Sequence, residues 1–162
     1  MKLRSKKGFT LIELIIVIAI LGIIALIAVP NLAGIRQRSQ VSADKRTAEQ
    51  IGKAVRIWAT DIDAGVRPIP ADTANLKAYD NDTALPGLCE TYISSGYTAK
   101  SLTAGPGNFY VTSTKAADDV NNATQKIIIG ISKTGTDLGS LPADADDVTY
   151  DGTEAGWAYL EK

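Results

Sequence analysis

The sequence contains no histidine and a single cysteine, Cys89, among its 162 residues. Without histidine, the chain lacks the commonest general acid or base, the commonest transition-metal ligand and the base of Ser/His or Cys/His nucleophilic sites. One cysteine cannot form an intramolecular disulfide or supply a thiolate zinc site by itself. We therefore expect a protein that is not an enzyme, has no catalytic residues, metal or cofactor, and folds by packing alone.

The chain also has no excess of charge of either sign. Seventeen Lys and Arg residues against eighteen Asp and Glu residues leave a formal net charge of -1. No global basic field therefore holds the chain to nucleic acid. Lys115, Lys126 and Lys133 could contact DNA, but three scattered lysines are ordinary solvated charges. A nucleic-acid partner is possible but unsupported.

Long apolar runs are absent except at one place. Phe9 to Val29 form a run of 21 residues whose one charged side chain is Glu13. At 1.5 Å per residue, this run makes a helix of roughly 31 Å, which matches the hydrocarbon thickness of a bilayer. The preceding cations favour a cytoplasmic N-terminus with the bulk of the chain outside, and the cations after the run weaken this asymmetry without reversing it. The preceding cations are Lys2, Arg4, Lys6 and Lys7.

A secretory signal peptide is the alternative interpretation of a basic start and an apolar stretch. Its apolar core is shorter and ends at a small-residue cleavage site. The residues Ala28-Val29-Pro30-Asn31 make a poor site of this kind, and the pattern continues into a helix. We therefore expect the apolar segment to stay attached to the mature protein.

Glu13 needs a reason for its place inside the apolar run. Asp at the centre of a membrane helix costs roughly 2.5 to 3.5 kcal/mol on insertion scales, so an ionisable residue there usually marks a site with a partner. The alternative is that Glu13 lies close enough to the interface to reach water. If the chain were cut after Gly8, the new amine on Phe9 could pair with Glu13 of another copy.

The order Lys6-Lys7-Gly8-Phe9-Thr10-Leu11-Ile12-Glu13-Leu14, followed by the apolar run to Pro30, closely resembles the class III signal sequence of type IV pilins and of the related pseudopilins of type II secretion. The resemblance is strong over residues 1 to 62. It implies that a membrane prepilin peptidase cuts between Gly8 and Phe9 and that the amine of Phe9 is methylated. It also implies a helical homopolymer, built by an assembly platform and an ATPase from subunits held in the membrane before assembly.

The resemblance assigns two further roles within the run. Glu13 would pair with the N-terminal amine of a neighbouring subunit, and a misaligned subunit would leave a charge unpaired in hydrocarbon. Pro30 removes one helical donor and frees the carbonyl of Leu26, so we expect a kink there. In related filaments the corresponding stretch loses helical structure, which makes Gly22 to Pro30 the expected extensible segment.

The amphipathic pattern continues the helix to about Ile62. One apolar stripe recurs at spacings of seven, three, four, three and four residues, which is typical of a helix face packed on a sheet. It consists of Val41, Ala48, Ile51, Val55, Trp58 and Ile62. The intervening charged residues are expected to face solvent or neighbours, and they are Asp44, Lys45, Arg46, Glu49, Lys53 and Arg56.

The remainder predicts an α+β head of pilin type, with the long helix packed on an antiparallel sheet of three or four strands. Strand candidates, rich in β-branched or aromatic residues, are Phe109 to Thr114, Lys126 to Ser132, Trp157 to Leu160 and a short Val148 to Tyr150. We expect Trp58, Ile127, Ile129 and Tyr159 to be buried together. A short helix is expected near Leu88 to Ser94 and Cys89 as a partly buried apolar residue.

Five segments follow from these patterns together with what the resemblance implies. They are a cleaved leader (1–8), a transmembrane and filament-core helix (9–30), the amphipathic half of the same helix (31–62), a variable helix-to-sheet loop (63–107) and the sheet (108–162). The acidic residues Asp144, Asp146, Asp147 and Asp151 lack the pattern of an EF-hand calcium loop, so a solvated loop is the better interpretation.

The function that follows is that of a structural subunit of a type IV pilus, which serves motility, adhesion or DNA uptake. The alternative is a pseudopilin of a type II secretion or competence system, or a minor pilin; filament length and abundance would separate these. A membrane-anchored enzyme or binding domain would need a convergent cluster of chemical groups, and the sequence offers none. The precursor is expected in the cytoplasmic membrane and the assembled subunit in an extracellular filament.

Overall fold

The computed structural model describes residues 8–61, 77–81, 83, 85–114, 126–142, 148 and 150–161, with the backbone alone for residues 29–31 and 77. In chain order the elements are α1 (Leu11–Ala59), β1 (Lys77–Ala78), α2 (Leu88–Thr91), β2 (Asn108–Ser113), β3 (Ile127–Ser132) and β4 (Gly156–Leu160). Leader residues 1–7, the predicted helix end at Ile62 and part of the predicted loop lie outside the described residues. The chain divides into two compact units, Met1–Arg36 and Gln37–Lys162.

The first unit contains the apolar part of α1. Every described side chain from Leu11 to Ala28 is exposed, including 82% of the surface of Leu26. An 18-residue window over these residues has a mean hydropathy of 3.2, which makes it long and apolar enough to cross a membrane. Within this unit the apolar side chains of the helix stay exposed rather than forming a core.

The second unit begins within α1 and uses the predicted stripe as its core face. Ala48, Ile51, Val55 and Trp58 are buried and Val41 is half-buried, which confirms the expected face. The helix ends at Ala59, where the N–H of Thr60 donates to the carbonyl of Arg56 at 3.1 Å. From Ala48 onward three or four residues separate successive stripe members, so each turn of this part of the helix contributes one side chain to the core.

The sheet is an antiparallel meander in the order β1-β2-β3-β4. Phe109 lies opposite Ile131 and Val111 opposite Ile129, and β3 pairs with β4 with an irregularity at Ile129/Gly130. The three predicted long strands are confirmed to within one residue at each end. The fourth strand that the structure shows is β1, which the sequence analysis placed in the variable loop.

The predicted short strand at Val148 to Tyr150 is represented by one ladder-like contact. The N–H of Tyr150 donates to the carbonyl of Trp157 at 3.0 Å, and described residues Val148 and Tyr150 lie outside the strands. The residues between Tyr150 and Trp157 therefore bring this segment back onto β4, but without a regular strand. The expected short helix is α2, which ends at Thr91 rather than near Ser94.

Both faces of the sheet are buried. On one face, Trp58 of α1 packs with Phe109, Ile127 and Ile129, and Tyr159 is half-buried against them, as predicted. On the other face, a second apolar cluster forms beneath the segment after β3, and its buried members are Tyr110, Ile128, Leu138, Trp157 and Leu160. The sheet therefore has an apolar run, IIIGIS, in β3 because neither face of that strand meets water.

Cys89 lies in α2 and packs half-buried against the main core. Its thiol donates a weak hydrogen bond to the carbonyl of Tyr79, with sulfur and oxygen 3.7 Å apart. This environment confirms the prediction of a small, partly buried apolar residue.

Candidate functional site

The start of α1 forms a reciprocal pair of hydrogen bonds between Thr10 and Glu13. The Thr10 N–H and hydroxyl donate to Glu13 Oε2 at 2.8 and 2.7 Å, and the Glu13 N–H donates to Thr10 Oγ1 at 3.4 Å. Thr10 is the N-cap and Glu13 the third helical residue, so this is a capping box. It satisfies two backbone donors that have no partner within the helix. The Glu13 carboxylate is thereby turned back toward the residues that precede the helix.

Gly8 and Phe9 lie immediately before the capping box, in non-helical backbone. Both residues are exposed, and 81% of the Phe9 surface is accessible. No atom lies within 4 Å of the place where a Cβ on Gly8 would stand. The bond between them is therefore accessible to an enzyme, and Phe9 is joined directly to Thr10, whose N–H contacts the Glu13 carboxylate.

Glu13, which the sequence suggests as the assembly residue, is surrounded by exposed apolar side chains. Leu11, Ile12, Leu14 and Ile16 are each between 52% and 76% accessible. Monomeric soluble proteins rarely expose a continuous apolar surface larger than a few hundred Å². A helix of this kind is suited to lipid or to other apolar helices around it.

Gly22 and Pro30 lie inside α1, which is continuous from Leu11 to Ala59. No atom approaches within 4 Å of a Cβ built on Gly22, so a lack of space is not the reason for a glycine at this position. Its effect is on the helix itself, since glycine lowers helical stability by about 1 kcal/mol relative to alanine. A kink at Pro30 and a loss of helix between the two positions remain predictions.

Asp44 is the residue that sequence reasoning placed wrongly. Expected to face solvent or neighbours, it is 5% exposed and accepts hydrogen bonds from the N–H groups of Lys100 at 3.0 Å and Ser101 at 2.9 Å. The hydroxyls of Ser101 and Tyr150 also contact its Oδ2. Burial raises the pKa of Tyr150 to about 12, so this phenol keeps its proton. The buried carboxylate is stable because donors surround it.

Gln37 extends the same contact one step along the helix. Its Nε2 donates to the carbonyls of Ser101 at 2.6 Å and Gly152 at 3.0 Å. Gln37 and Asp44 are seven residues apart, so they lie on one helix face. Together they hold the loops around Ser101 and Gly152 against α1. The signal in the sequence was the spacing, because Asp44 falls between Val41 and Ala48 at the three-then-four rhythm of the stripe.

One of the charged residues expected to face solvent or neighbours, Arg56, is partly buried in an ion pair. Arg56 on α1 pairs with Glu161, which also accepts the Ile127 N–H at 3.0 Å. Burial by itself raises the pKa of Glu161, but the hydrogen bonds from Arg56 and Ile127 outweigh it and lower the pKa below its ordinary value. The pair ties the end of β4 to the helix.

The weaker site candidates are only partly visible. No group of three or more His, Cys, Asp or Glu residues suited to a metal occurs among the described residues. Asp151 accepts hydrogen bonds from its neighbour Thr153, whereas Asp144, Asp146 and Asp147 lie outside the described residues. Lys126 is exposed and Lys133 donates to the carbonyl of Ala104 at 3.0 Å, while Lys115 lies outside the described residues.

Comparison with known proteins finds a family model and several relatives that are similar to this chain. The model of the family described as "Prokaryotic N-terminal methylation motif" matches residues 3–29. A fimbrial protein of Dichelobacter nodosus is 35% identical over 126 residues, which cover 77% of this chain and 76% of the relative. The type II secretion system core protein G of Escherichia coli is 31% identical over 108 residues, covering 66% and 71% of the two chains.

The match to a third relative covers a shorter part of the chain. The type IV wide pilus major component of Thermus thermophilus is 57% identical over 37 residues, covering 23% of this chain and 28% of the relative. No solved structure matches the chain. The methylation motif, the extensive similarity to fimbrial proteins and the helix-and-sheet fold agree with one another. The chain therefore belongs to the type IV pilin family, a family of structural subunits rather than enzymes, in which fimbrial proteins and type II secretion pseudopilins are related.

Proposed function

We propose that this chain polymerises through its N-terminal helix into a type IV pilus on the cell surface. The observation that carries the proposal is the fully exposed apolar helix Leu11–Ala28, whose first turn contains Glu13 held by the Thr10 cap. Lipid covers such a helix in the precursor, and the same helices of other copies cover it in a filament. No catalytic step is required of the subunit.

Before assembly, the subunit is held in the cytoplasmic membrane by residues 9–30. The four cations among the first seven residues keep the N-terminus in the cytoplasm, and the residues after α1 lie outside. Prepilin peptidase then removes the leader 1–8, and Phe9 becomes the methylated N-terminus. The exposure of Gly8 and Phe9 supports this step because the bond between them is accessible.

Glu13 determines the alignment of each added subunit. A carboxylate in hydrocarbon needs a cationic partner, and the amine of a neighbouring Phe9 is the group that processing creates. Pairing adds little net stability, but breaking a buried pair costs about 3 to 5 kcal/mol. A subunit in the wrong axial position leaves Glu13 without that amine and is disfavoured by this amount.

The capping box gives Glu13 a partner before assembly. While the subunit stands alone, the Thr10 N–H and hydroxyl are available to the carboxylate. These hydrogen bonds lower the cost of holding a charge in the membrane. In the filament, the amine of a neighbouring Phe9 adds to them or replaces them, and residues Gly22 to Pro30 form the segment that loses helical structure under extension.

The second candidate function is that of a pseudopilin. The similarity to the Escherichia coli type II secretion core protein G over 108 residues favours it. Both functions use the same helix and the same processing. They differ in product, since a pilus subunit gives abundant long surface fibres and a pseudopilin remains largely with the membrane.

Intact mass and N-terminal sequencing of protein from sheared surface fibres test the proposal. We expect the fibre fraction to be dominated by a chain that begins at methylated Phe9. The same processed chain confined to the membrane fraction would favour the pseudopilin, and an intact Met1 leader would rule out both. A Gly8→Asp precursor, which changes the residue before the cleaved bond, is the matched control and should yield no fibre.

A further inference from the structure

A groove of about 470 Å³ in the second unit has an apolar floor and a cationic rim. Val41 on α1 with Ala158 and Tyr159 on β4 contribute apolar side chains that are at least partly buried. The cations on the rim are Arg38, Lys45 and Arg46. The groove is therefore suited to a molecule that carries negative charge beside apolar atoms.

The surface of α1 between the apolar run and the buried stripe carries positive charge. From Ala28 to Ala48 the helix has one acid, Asp44, which is 5% exposed and accepts the N–H groups of Lys100 and Ser101. The cations of the same stretch are Arg36, Arg38, Lys45 and Arg46. No ion pair in the described part of the chain involves any of these four. Burial of the one acid therefore leaves their charge without a neutralising group on this stretch.

Two carboxylates at the groove offset part of this charge. Glu49 contacts Lys53, a cation outside the groove lining, at 2.7 Å. Asp151 accepts hydrogen bonds from the hydroxyl and the N–H of Thr153, which lower its pKa, so it keeps its negative charge. Three cations against two carboxylates leave the lining with an excess of positive charge, and the pairing of Glu49 with Lys53 enlarges it.

Exposed apolar side chains continue along the chain from the membrane segment toward the groove. Leu32 and Ile35 are 48% and 62% exposed, although they follow the apolar window that ends at Ala28. Exposed apolar residues close to cations are typical of segments at a lipid interface. Gln37, the first residue of the groove lining, comes nine residues after Ala28, so the connecting chain spans at most about 32 Å. Chain length therefore allows the groove to meet the headgroups of lipids around this segment.

We infer that the groove binds the headgroup of an anionic phospholipid in the membrane that holds the chain before assembly. The inference rests on the proposed membrane-held precursor and adds a lipid contact of the head to it. The lipid phosphate meets Arg38, Lys45 and Arg46, and its glycerol and upper acyl carbons cover Val41 and Tyr159. Arginine suits this partner because its guanidinium donates paired hydrogen bonds to phosphate oxygens.

A phospholipid matches both halves of the groove, since it carries charge and hydrocarbon in one molecule. A soluble anion would satisfy the cations and leave the apolar floor in water. Anionic lipids attract basic segments near the membrane surface, and the attraction falls off within a Debye length. The contact therefore keeps the head at the membrane surface until the subunit is extracted into a filament.

Photo-crosslinking of the full-length chain in vesicles tests the contact. The photoreactive residue p-benzoylphenylalanine replaces the exposed groove residue Ser42, and the control carries it at Ser95, an exposed residue outside the groove. The vesicles contain phosphatidylcholine alone or phosphatidylcholine with about one-third phosphatidylglycerol. We expect the lipid adduct at position 42, measured by mass spectrometry, to rise about threefold or more with phosphatidylglycerol. The adduct at position 95 should be weak in both.

Removal of charge gives an independent readout. The double variant R38Q/R46Q should lower the lipid adduct at position 42 to its level in phosphatidylcholine alone, because the phosphate loses two cationic partners. The control K126Q/K133Q removes two cations outside the groove and should leave the adduct within about twofold. Added salt should weaken the adduct by screening, and inorganic phosphate should weaken it no more than chloride at the same ionic strength.

Five results would overturn the inference. They are equal adducts with and without phosphatidylglycerol, equal adducts from positions 42 and 95, an unchanged adduct in R38Q/R46Q, stronger competition by inorganic phosphate than by chloride, and a protein dimer adduct in place of the lipid adduct. If the double variant fails to accumulate, the comparison of lipid compositions decides alone. Failure of the unmodified chain to float with either kind of vesicle would show that the proposed membrane-held precursor is itself wrong, and the inference would fall with it.

Discussion

The two parts of α1 have the same secondary structure and opposite relations to their surroundings. Between Leu11 and Ala28 every side chain is exposed, whereas Ala48, Ile51, Val55 and Trp58 are buried against the sheet. The first part is apolar on all sides and the second on one stripe. A helix that is apolar all round must find its partners outside the chain, and one with a stripe can find them inside. The first part of α1 is therefore suited to assembly, and the second part to folding of the head.

Changing Glu13 should have the largest effect on filament assembly. Glu13→Ala removes the carboxylate that we propose as the partner of the N-terminal amine, and we expect sheared filament to be almost absent because a buried pair that loses one member costs about 3 to 5 kcal/mol. The head should unfold at the wild-type temperature. Filament yield and a thermal melt of the detergent-solubilised chain check the two halves of the prediction.

A matched variant separates the charge from the cap. Thr10→Val keeps the Glu13 carboxylate but removes the hydroxyl that contacts it, and loss of an N-cap costs about 1 kcal/mol. We expect filaments to form with reduced yield. Equal loss of filament in both variants would mean that the cap, rather than the charge, is what assembly requires.

The largest effect in the packed part should come from Asp44. Asp44→Ala leaves the N–H groups of Lys100 and Ser101 without their acceptor, and each unsatisfied buried donor costs about 1 to 3 kcal/mol. We expect the free energy of unfolding of the head to fall by about 3 kcal/mol in urea titrations, with processing at Gly8 unchanged. Arg46→Ala, an exposed neighbour on the same helix, should change it by less than about 0.5 kcal/mol.

Glycines on the two parts of the helix should respond in opposite directions. A Cβ on Gly52 would lie 2.2 Å from the Tyr159 ring, whereas a Cβ on Gly22 meets no atom within 4 Å. Gly52→Ala should therefore destabilise the head by about 1 to 2 kcal/mol, because overpacking exceeds the gain in helix propensity. Gly22→Ala should stabilise its segment by about 1 kcal/mol.

Stretching and melting measurements check this pair. Filaments of the Gly22→Ala variant should need more force to extend if Gly22 to Pro30 is the segment that loses helix, while their heads melt as in wild type. A Gly52→Ala head that is as stable as wild type would show that Tyr159 moves aside without cost.

The smallest expected effect concerns the ion pair at the end of β4. Hydrogen bonds from Arg56 and Ile127 lower the pKa of Glu161 below its ordinary value of 4.5. A carboxyl with a depressed folded-state pKa contributes stability that is present above its unfolded pKa and is lost as the pH falls through its folded pKa. We expect the head to lose about 1 kcal/mol below about pH 4.5 from this group. In the Glu161→Gln variant, urea titrations should not show this part of the loss of stability at acid pH.

The helix and its core face could be predicted because they have a periodic apolar pattern, and the three long strands because each is rich in β-branched or aromatic residues. Phe109, Val111 and Ile129 alternate with residues on the other face, and Trp58 lies on the stripe. β1 could not be predicted, since Lys77 and Ala78 have no strand pattern and pair only because β2 lies beside them. The cover over the second face, which includes Leu138, is likewise set by tertiary packing.

The candidate site also contains some residues that the sequence predicts and others that it does not. Gly8, Phe9 and Glu13 belong to an ordered motif that is visible without a structure, and the capping box is a local consequence of Thr10 preceding Glu13 by three residues. Asp44 was assigned to solvent because it is charged, although its spacing placed it on the core stripe. Its partners Ser101 and Tyr150 are 57 and 106 residues away, so no local pattern could announce them.

The short length of β1 has a consequence for a protein that must pack at very high local concentration. Edge strands with free backbone groups invite other strands to join them, which leads to unintended β-sheet aggregation. Here one edge strand is two residues long, and at the other edge Tyr150 already donates to the Trp157 carbonyl. Within the part of the head that the structure describes, little backbone is left for a neighbouring head to extend the sheet. Heads can therefore lie side by side with little tendency to join their sheets.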